Sequence, residues 1–309
     1  GEVDEESIEE INAALAPTAG HCMVMGSAST MAVCSEAMGM MLPGGAAIPA
    51  TENKRMKHAI DTGKKIVELV EKDVRPSQII TRNSLENSIR ALMAVGGSTN
   101  AVIHLTAIAG RLGIELPLDL FDQLSRTTPF IANLRPAGQY QMEDFYKAGG
   151  TPAVLKELEP LLHLEEMTVT GYPLRDSLND VKVSDVYRNI ITSFESPLHK
   201  EGGIAVLKGN LAPDGAVIKP KAASSELLKH TGRAVVFTSS QDLENRIDDP
   251  ELDISPEDIM ILQNTGPVGA PGMPEAGMLP IPNKLLKQGV RDMVRISDAR
   301  MSGTAFGTV

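Results

Sequence analysis

The chain has 309 residues, with no tryptophan, four tyrosines, six phenylalanines and fifteen methionines. So few aromatic side chains leave leucine, isoleucine, valine, alanine and methionine to build the core, which is usual in helix-rich α/β enzymes and unusual in proteins that stack nucleic-acid bases. The net charge of −11 argues against nucleic acid or an acidic membrane as a partner, so an anionic ligand would need a local cation.

Helical periodicity dominates the first half of the chain. The opening helix is expected over 4–15, with Ser7 and Glu10 at capping-box spacing and Ile8 and Ile11 on one face. Further helices are predicted at 30–42, 53–72, 84–95, 101–112, 119–126 and 153–162. The helix over 53–72 carries an apolar stripe, formed by Ile60, Ile66, Val67 and Val70. The helix over 84–95 has a stronger one, formed by Leu85, Ile89, Leu92 and Met93.

The pattern changes near residue 165. Short strand-like runs follow at 167–170, 203–208, 215–219, 234–238, 258–263 and 293–297, with helices at 241–248 and 283–288. Short strands separated by glycine, proline and aspartate favour a barrel or sandwich over a βαβ sheet. The expected fold class is therefore α/β plus β, with a helix-rich domain at 1–165 and a β-rich, barrel-like domain at 166–309.

Both ends suggest an internal segment of a longer chain. An acidic helix follows Gly1 directly, and 306–309 is typical of a strand that has just begun.

The sequence has no signal-peptide pattern and no apolar run of membrane-spanning length. Cys22 and Cys34 lack C-x-x-C spacing, which excludes a disulfide framework and favours a reducing, cytoplasmic setting.

One glycine-bounded turn, at 20–31, places Cys22 just before a predicted helix. Ser27, Ser29 and Thr30 are possible helix N-caps. The positive end of a helix favours the thiolate form of a nearby thiol, and a thiolate is suited to bind a metal cluster. The same helix end is also suited to bind an anion. The alternative is that Cys22 is an ordinary buried free cysteine.

Three further loops have residues suited to chemistry. The loop at 96–100, Gly-Gly-Ser-Thr-Asn, precedes a helix and can bind an anion or form a plain turn. The rigid loop at 264–275 ends in Glu275, which suits a Mg²⁺ ligand or an ordinary acidic turn. The stretch at 297–304 puts Ser302 and Arg300 after an apolar strand, in a site or in a surface hairpin. G-x-S-x-G, P-loop, dinucleotide and H-E-x-x-H motifs do not occur.

Together these stretches resemble the dihydroxy-acid and sugar-acid dehydratase family, the iron–sulfur hydro-lyases that include 6-phosphogluconate dehydratase. The matching runs are GHCMVMGSASTM (20–31), GGSTNAVIHL (96–105), GQYQMEDFYKAGGTPAVLKEL (138–158), GGIAVLKGNLAPDGAVIK (202–219), GPVGAPGMPE (266–275) and ISDARMSGTAFGTV (296–309). They cover essentially the whole chain, in the family's order.

The resemblance implies roles for particular residues. Cys22 matches the last of three cysteines that hold an iron–sulfur cluster, of the 2Fe–2S or 4Fe–4S type. Glu275 matches a Mg²⁺ ligand, Ser302 the proposed base, and Thr304 a hydroxyl that contacts substrate. Cys34 matches nothing in the family pattern and is interpreted as a core thiol. The other two cluster cysteines and an Asp-Lys metal pair would lie upstream of Gly1, so residues 1–309 alone are expected to be inactive.

The resemblance also implies a reaction and a fold. The family removes water from a 2,3-dihydroxy carboxylic acid to give a 2-keto-3-deoxy acid, and the runs at 266–275 and 296–309 favour the sugar-acid branch, such as arabinonate or xylonate. The alternatives are the dihydroxy-acid dehydratase of branched-chain amino-acid synthesis and a non-catalytic segment of such an enzyme. The implied fold is the end of an α/β domain followed by a swivelling, barrel-like domain. A homodimer or higher homo-oligomer is expected.

Overall fold

The computed structural model of the chain describes residues 4–15, 19–266, 279–302 and 307–309. Helices make up most of the first half: α1 (Glu5–Leu15), α2 (Ser27–Ala37), α3 (Asn53–Glu71), α4 (Pro76–Ile79), α5 (Arg82–Val95), α6 (Asn100–Arg111), α7 (Leu118–Arg126), α8 (Met142–Lys147), α9 (Gly150–Glu157) and α10 (Leu174–Leu178). The second half contains β1 (Ala205–Leu207), β2 (Ala216–Ile218), β3 (Ala234–Phe237), α11 (Ser240–Arg246), β4 (Ile259–Leu262), α12 (Asn283–Lys287) and β5 (Arg295–Ser297).

Helix α5 lies at the centre of the helical part. Thr81 caps its N-terminus by accepting a hydrogen bond from the backbone N–H of Ser84, and Gly96 ends it in the left-handed conformation. The predicted apolar face is confirmed, because its members, Leu85, Ile89, Leu92 and Met93, are all fully buried. Helix α2 packs along α5, and the buried Cys34 thiol donates to the carbonyl of Ser88 at 3.8 Å. Burial raises the pKa of Cys34 to about 12, as expected for a core thiol.

Two hydrophobic clusters lie on either side of α5. One joins α2 and α5 to α8 and α9, with Val33, Phe145 and Val154 among its members. The other joins α5 to α6 and α7 and also takes in Ile204 and Val206 of the β1 region. The antiparallel β1–β2 hairpin therefore packs on the helices, where the hydroxyl of Ser125 on α7 donates to the carbonyl of Ile204 at 2.5 Å.

Strands β3, β4 and β5 form one parallel sheet in that order. Val235 lies opposite Met260, and Ile261 lies opposite Ile296. Parallel neighbours need crossover connections, and α11 lies between β3 and β4 in the chain. This is a βαβ arrangement, whereas the pattern of short strands favoured a barrel or sandwich. The described strands do not close into a barrel, so the barrel-like fold class and the boundary at residue 165 stay predictions.

A third cluster covers this sheet. It packs Phe237 and Leu262 of the strands against Leu243 of α11 and Leu285 of α12. Strands β3 and β4 were predictable because each is a short apolar run. Their pairing was not, because such a run looks the same in a parallel sheet and in a sandwich.

Two predicted apolar faces are not buried in this structure. On α3, Ile60, Ile66, Val67 and Val70 have exposed fractions of 52%, 56%, 56% and 72%. On α1, Ile8 and Ile11 are exposed as well, and the N-cap is Asp4, which accepts from the N–H of Ser7, so the predicted Ser7–Glu10 capping box is wrong. In the described part of the chain, no helix is both long and apolar enough to span a bilayer.

Glu36, on α2, is a buried carboxylate that fixes the glycine- and proline-rich loop at 43–49. Its two oxygens accept from the N–H groups of Gly44 at 2.5 Å and Ala46 at 3.0 Å. Burial raises the pKa of Glu36 to about 7, against the lowering effect of those two hydrogen bonds. The folded state therefore favours the protonated carboxyl more than the unfolded chain does.

This raised pKa predicts a pH-dependent contribution to stability. The folded-state pKa of Glu36 lies above the ordinary value of 4.5. The contribution of the protonated carboxyl to the free energy of unfolding is therefore fully present below pH 4.5 and is lost as the pH rises through about 7. The loss is about 3 kcal/mol. The check is denaturant unfolding of wild type and Glu36→Gln at pH 5 and pH 8. The free energy of unfolding of the variant, relative to that of wild type, should be higher at pH 8 than at pH 5. An equal difference at both pH values would contradict it.

Candidate active site

Cys22 lies in an exposed loop five residues before α2 begins. Its thiol is free and exposed, so the alternative of an ordinary buried cysteine does not hold. The backbone around it is held on both sides, since the N–H of Met25 donates to the carbonyl of Arg135 and the carbonyl of Met23 accepts from Met142. The thiol is thus presented to solvent from a fixed loop.

The hydroxyls after Cys22 do not cap α2. The N-cap is Gly26, with no side-chain hydrogen bond, and the helix begins at Ser27 rather than near residue 30. Instead, Ser27 Oγ lies 3.1 Å from Ser98 Oγ and accepts from Asn100 Nδ2 at 2.6 Å. Thr30 Oγ1 accepts from the N–H of Ser98 at 2.9 Å. These hydroxyls therefore join the Cys22 loop to the loop at 96–100.

Gly97 makes that contact possible. A Cβ atom at this position would lie 2.6 Å from Thr30 Cγ2, closer than van der Waals contact allows. The 96–100 loop leads into α6 at Asn100, close to the predicted start. The N-terminal ends of α2 and α6 thus meet beside the Cys22 loop.

Helix α6 also contacts the stretch that bears Ser302. Nη1 of Arg300 lies 3.3 Å from Nε2 of His104, one turn into α6. A guanidinium can only donate, so Nε2 of His104 is the acceptor. Ser302 itself is half-buried. One helix therefore connects the Cys22 region with the Ser302 stretch, although 196 residues separate Arg300 from His104.

The chain after Ser302 is held as well. The N–H of Gly307 donates to the carbonyl of Ala222 at 2.9 Å, and Thr308 donates through both its N–H and its hydroxyl to the half-buried Asp292. Burial raises the pKa of Asp292, but these hydrogen bonds and those from Ser224 outweigh it, so the pKa lies below its ordinary value. Ser302 thus lies between two anchored points.

Asp298 orders the loop that leads toward Glu275. Its carboxylate accepts from the N–H groups of Asn264 at 2.7 Å, Thr265 at 3.0 Å and Gly266 at 3.1 Å, and from the Thr265 hydroxyl at 3.1 Å. The loop at 264–266 and the strand end at 297–302 are therefore one unit. Glu275 and Thr304, both predicted site residues, lie outside the described residues.

We expect Asp298→Ala to lower the free energy of unfolding by about 1–2 kcal/mol, because an exposed carboxylate with three backbone donors is removed. Hydrogen exchange at Asn264, Thr265 and Gly266 should speed up. Asp185→Ala is the matched control, since Asp185 is 96% exposed and has only a surface ion pair with Arg188. Unchanged exchange at 264–266 would contradict this role for Asp298.

Two of the four predicted site residues lie on segments that share a common support. Cys22 and Ser302 lie on segments that both contact α6 or its leading loop. In the described ranges, no three histidine, cysteine, aspartate or glutamate side chains are close enough to hold a metal ion. Sequence reasoning missed His104 and the anchoring role of Asp298, because both depend on contacts with residues far away in the chain.

Two family models match the chain. The model described as dihydroxy-acid/6-phosphogluconate dehydratase N-terminal matches residues 1–177. The corresponding C-terminal model matches residues 189–309. Together they include every stretch on which the sequence resemblance was based.

Curated relatives match over nearly the whole chain. An L-arabinonate dehydratase of Rhizobium leguminosarum is 51% identical over 100% of the chain and 53% of its own length. A 6-deoxy-6-sulfo-D-gluconate dehydratase of Pseudomonas putida is 45% identical over 100% of the chain and 53% of its own length. A dihydroxy-acid dehydratase of Thermodesulfovibrio yellowstonii is 44% identical over 99% of the chain and 55% of its own length. The chain thus spans about half the length of these relatives.

Proposed function

The chain belongs to the dihydroxy-acid/6-phosphogluconate dehydratase family, and on that premise we propose that the protein is a hydro-lyase acting on a 2,3-dihydroxy carboxylic acid. The product is the 2-keto-3-deoxy acid. The observation that carries the proposal is the meeting of the Cys22 region and the Ser302 stretch on α6, through Asn100–Ser27 and Arg300–His104. A site built from segments so far apart in the chain needs such a common support.

The proposed roles follow the family pattern. Cys22 supplies one ligand of an iron–sulfur cluster, Glu275 one ligand of Mg²⁺, and Thr304 a contact to substrate. The exposed thiol of Cys22 suits a cluster ligand, but the described residues do not by themselves form a complete metal site. When bound, the cluster and Mg²⁺ would supply Lewis-acid stabilisation of charge on the substrate.

Ser302 is the proposed general base. The proton from C2 passes to the deprotonated Ser302 oxygen, and the electron pair of the C2–H bond forms the C2=C3 double bond. The C3 hydroxyl leaves as hydroxide and takes up a proton in place of the one removed from C2, so that water is released. The resulting enol then becomes the ketone. Arg300, held by His104 two residues before Ser302, provides positive charge near the proposed base in a chain whose net charge is −11.

A sugar acid is the proposed substrate class. Identity to the relative named for L-arabinonate is 51%, and identity to a relative named as dihydroxy-acid dehydratase is 44%. The branched-chain dihydroxy-acid reaction is the second candidate. We further propose a homodimer or higher homo-oligomer that works in the cytoplasm.

The test is an activity assay of the intact gene product, purified anaerobically. L-arabinonate, D-xylonate and a branched 2,3-dihydroxy acid would each be supplied, and formation of a 2-keto acid measured as its semicarbazone. Turnover of a sugar acid is expected. Preference for the branched acid would instead support the dihydroxy-acid dehydratase function of branched-chain amino-acid synthesis. A colourless protein without iron or sulfide would indicate a non-catalytic segment.

A further inference from the structure

Lys219, just after β2, is a buried amine without a counter-ion in the described part of the chain. The residue is 9% exposed. Its Nζ makes no hydrogen bond to any described group. A buried ammonium in this state is costly unless an opposite charge reaches it. Lys219 is the last residue of the run at 202–219.

The strand register shows which face Lys219 shares. Ala205 lies opposite Ile218, so continuing the ladder by one residue places Lys219 opposite Ile204. Opposite residues of an antiparallel pair point to the same face. Ile204 is fully buried in the cluster formed with α5, α6 and α7. Lys219 is therefore on the face of the hairpin that packs on the helices.

The residue before Ile204 contacts the 96–100 loop. A Cβ atom on Gly203 would lie 2.3 Å from the Cα of Gly96, and the N–H of Gly203 donates to the carbonyl of Met93 at 2.9 Å. This close approach of two glycines puts the hairpin end directly beside the loop that joins α5 to α6.

On its other side, Lys219 is linked to the chain that follows Ser302. The carbonyl of Lys219 accepts from the N–H of Ala222 at 3.0 Å, and the carbonyl of Ala222 accepts from the N–H of Gly307 at 2.9 Å. Lys219 thus lies between the 96–100 loop and the Ser302 segment. Pro220, the residue after Lys219, lines a groove of about 360 Å³ together with Ile204.

We propose that Lys219 binds the carboxylate of the sugar-acid substrate, an assignment that rests on the proposed function. The chain is strongly acidic, so an anion can be held only where a cation is concentrated locally. Burial strengthens such a pair and makes its absence costly. Burial also lowers the pKa of Lys219 to about 8, so a bound carboxylate would raise it again.

The test measures the reactivity of Lys219 in the intact gene product. The protein is treated briefly with an acetylating reagent in the presence of D-gluconate, in the presence of D-glucitol, and with neither. Mass spectrometry then gives the acetylated fraction of Lys219 in each sample. We expect gluconate to protect Lys219 and glucitol, which has similar hydroxyls and no charge, to leave it reactive. Equal protection by both, or by neither, would overturn the proposal. So would an amine that stays unreactive in all three samples, because an amine that a small acetylating reagent does not reach is not open to a substrate carboxylate either.

Binding measurements provide the second readout. Lys219→Met should weaken gluconate binding by about 10- to 100-fold, the loss expected for one charge-assisted contact. Lys208→Met is the control in the same hairpin, since Lys208 is half-exposed and pairs with Asp119. It should change binding less than about threefold. Lys219→Met that binds like wild type would overturn the assignment.

These outcomes separate the two proposals. Turnover of sugar acids with an unchanged KM in Lys219→Met would leave the dehydratase function in place and remove Lys219 from it. If gluconate binding depends on Lys219 but the protein dehydrates no sugar acid, the role of Lys219 as an anion-binding residue stands and the dehydratase function fails.

Discussion

Ser302→Ala in the intact gene product should lower kcat for sugar-acid dehydration by about 10²- to 10⁴-fold, the usual contribution of one general base. The half-buried Ser302 lies between two anchored points, Arg300 on His104 and Gly307 on Ala222. Removal of one oxygen should leave that segment in place. KM, iron and sulfide content should therefore change little, and the loss should appear in kcat.

The control is Ser225→Ala. Ser225 is exposed, and its hydroxyl bonds only weakly to Glu226 at 3.3 Å, so activity should match wild type. Near-normal kcat in Ser302→Ala would exclude this serine as the base. Loss of iron in the same variant would show instead that Ser302 supports the structure of the site.

Local patterns predicted the helices well where burial and periodicity agree. Helix α5 is the clearest case, because its apolar face predicted a helix over 84–95 and the observed helix is Arg82–Val95. Helix α2 began earlier than predicted, since Ser27 and Thr30 use their hydroxyls on the 96–100 loop rather than on the helix end. A cap and a tertiary contact need the same residue types, and sequence alone does not distinguish them.

The site could be predicted only in part. Cys22 and Ser302 were predicted from their motifs and stay predictions, and nothing local pairs His104 with Arg300, or Asp298 with residues 264–266. Such contacts depend on how β5 pairs with β4, and that parallel pairing was not readable from the strands. The buried state of Lys219 was equally hidden, because a lysine at a strand end is usually exposed.

The two cysteines of the chain should respond oppositely to the same substitution. Cys22→Ala removes an exposed thiol, and we expect the gene product, purified anaerobically, to lose the brown colour and most of its iron and sulfide. A cluster with an open iron site depends on three protein ligands, so loss of one removes it. Dehydration should stop for the same reason, while unfolding of the metal-free protein should stay as in wild type, since the side chain at 22 packs little.

Cys34→Ala provides the matched control. This thiol is fully buried against α5, so its removal leaves a small cavity and should lower the free energy of unfolding by about 1 kcal/mol. Iron, sulfide and activity should be retained, because a thiol whose pKa burial raises to about 12 does not supply a thiolate ligand. Full iron content in Cys22→Ala, or its loss in Cys34→Ala alone, would reverse the assignment of the cluster ligand. Because both changes delete the same atom, the contrast between them reports the environment of each sulfur rather than the chemistry of cysteine.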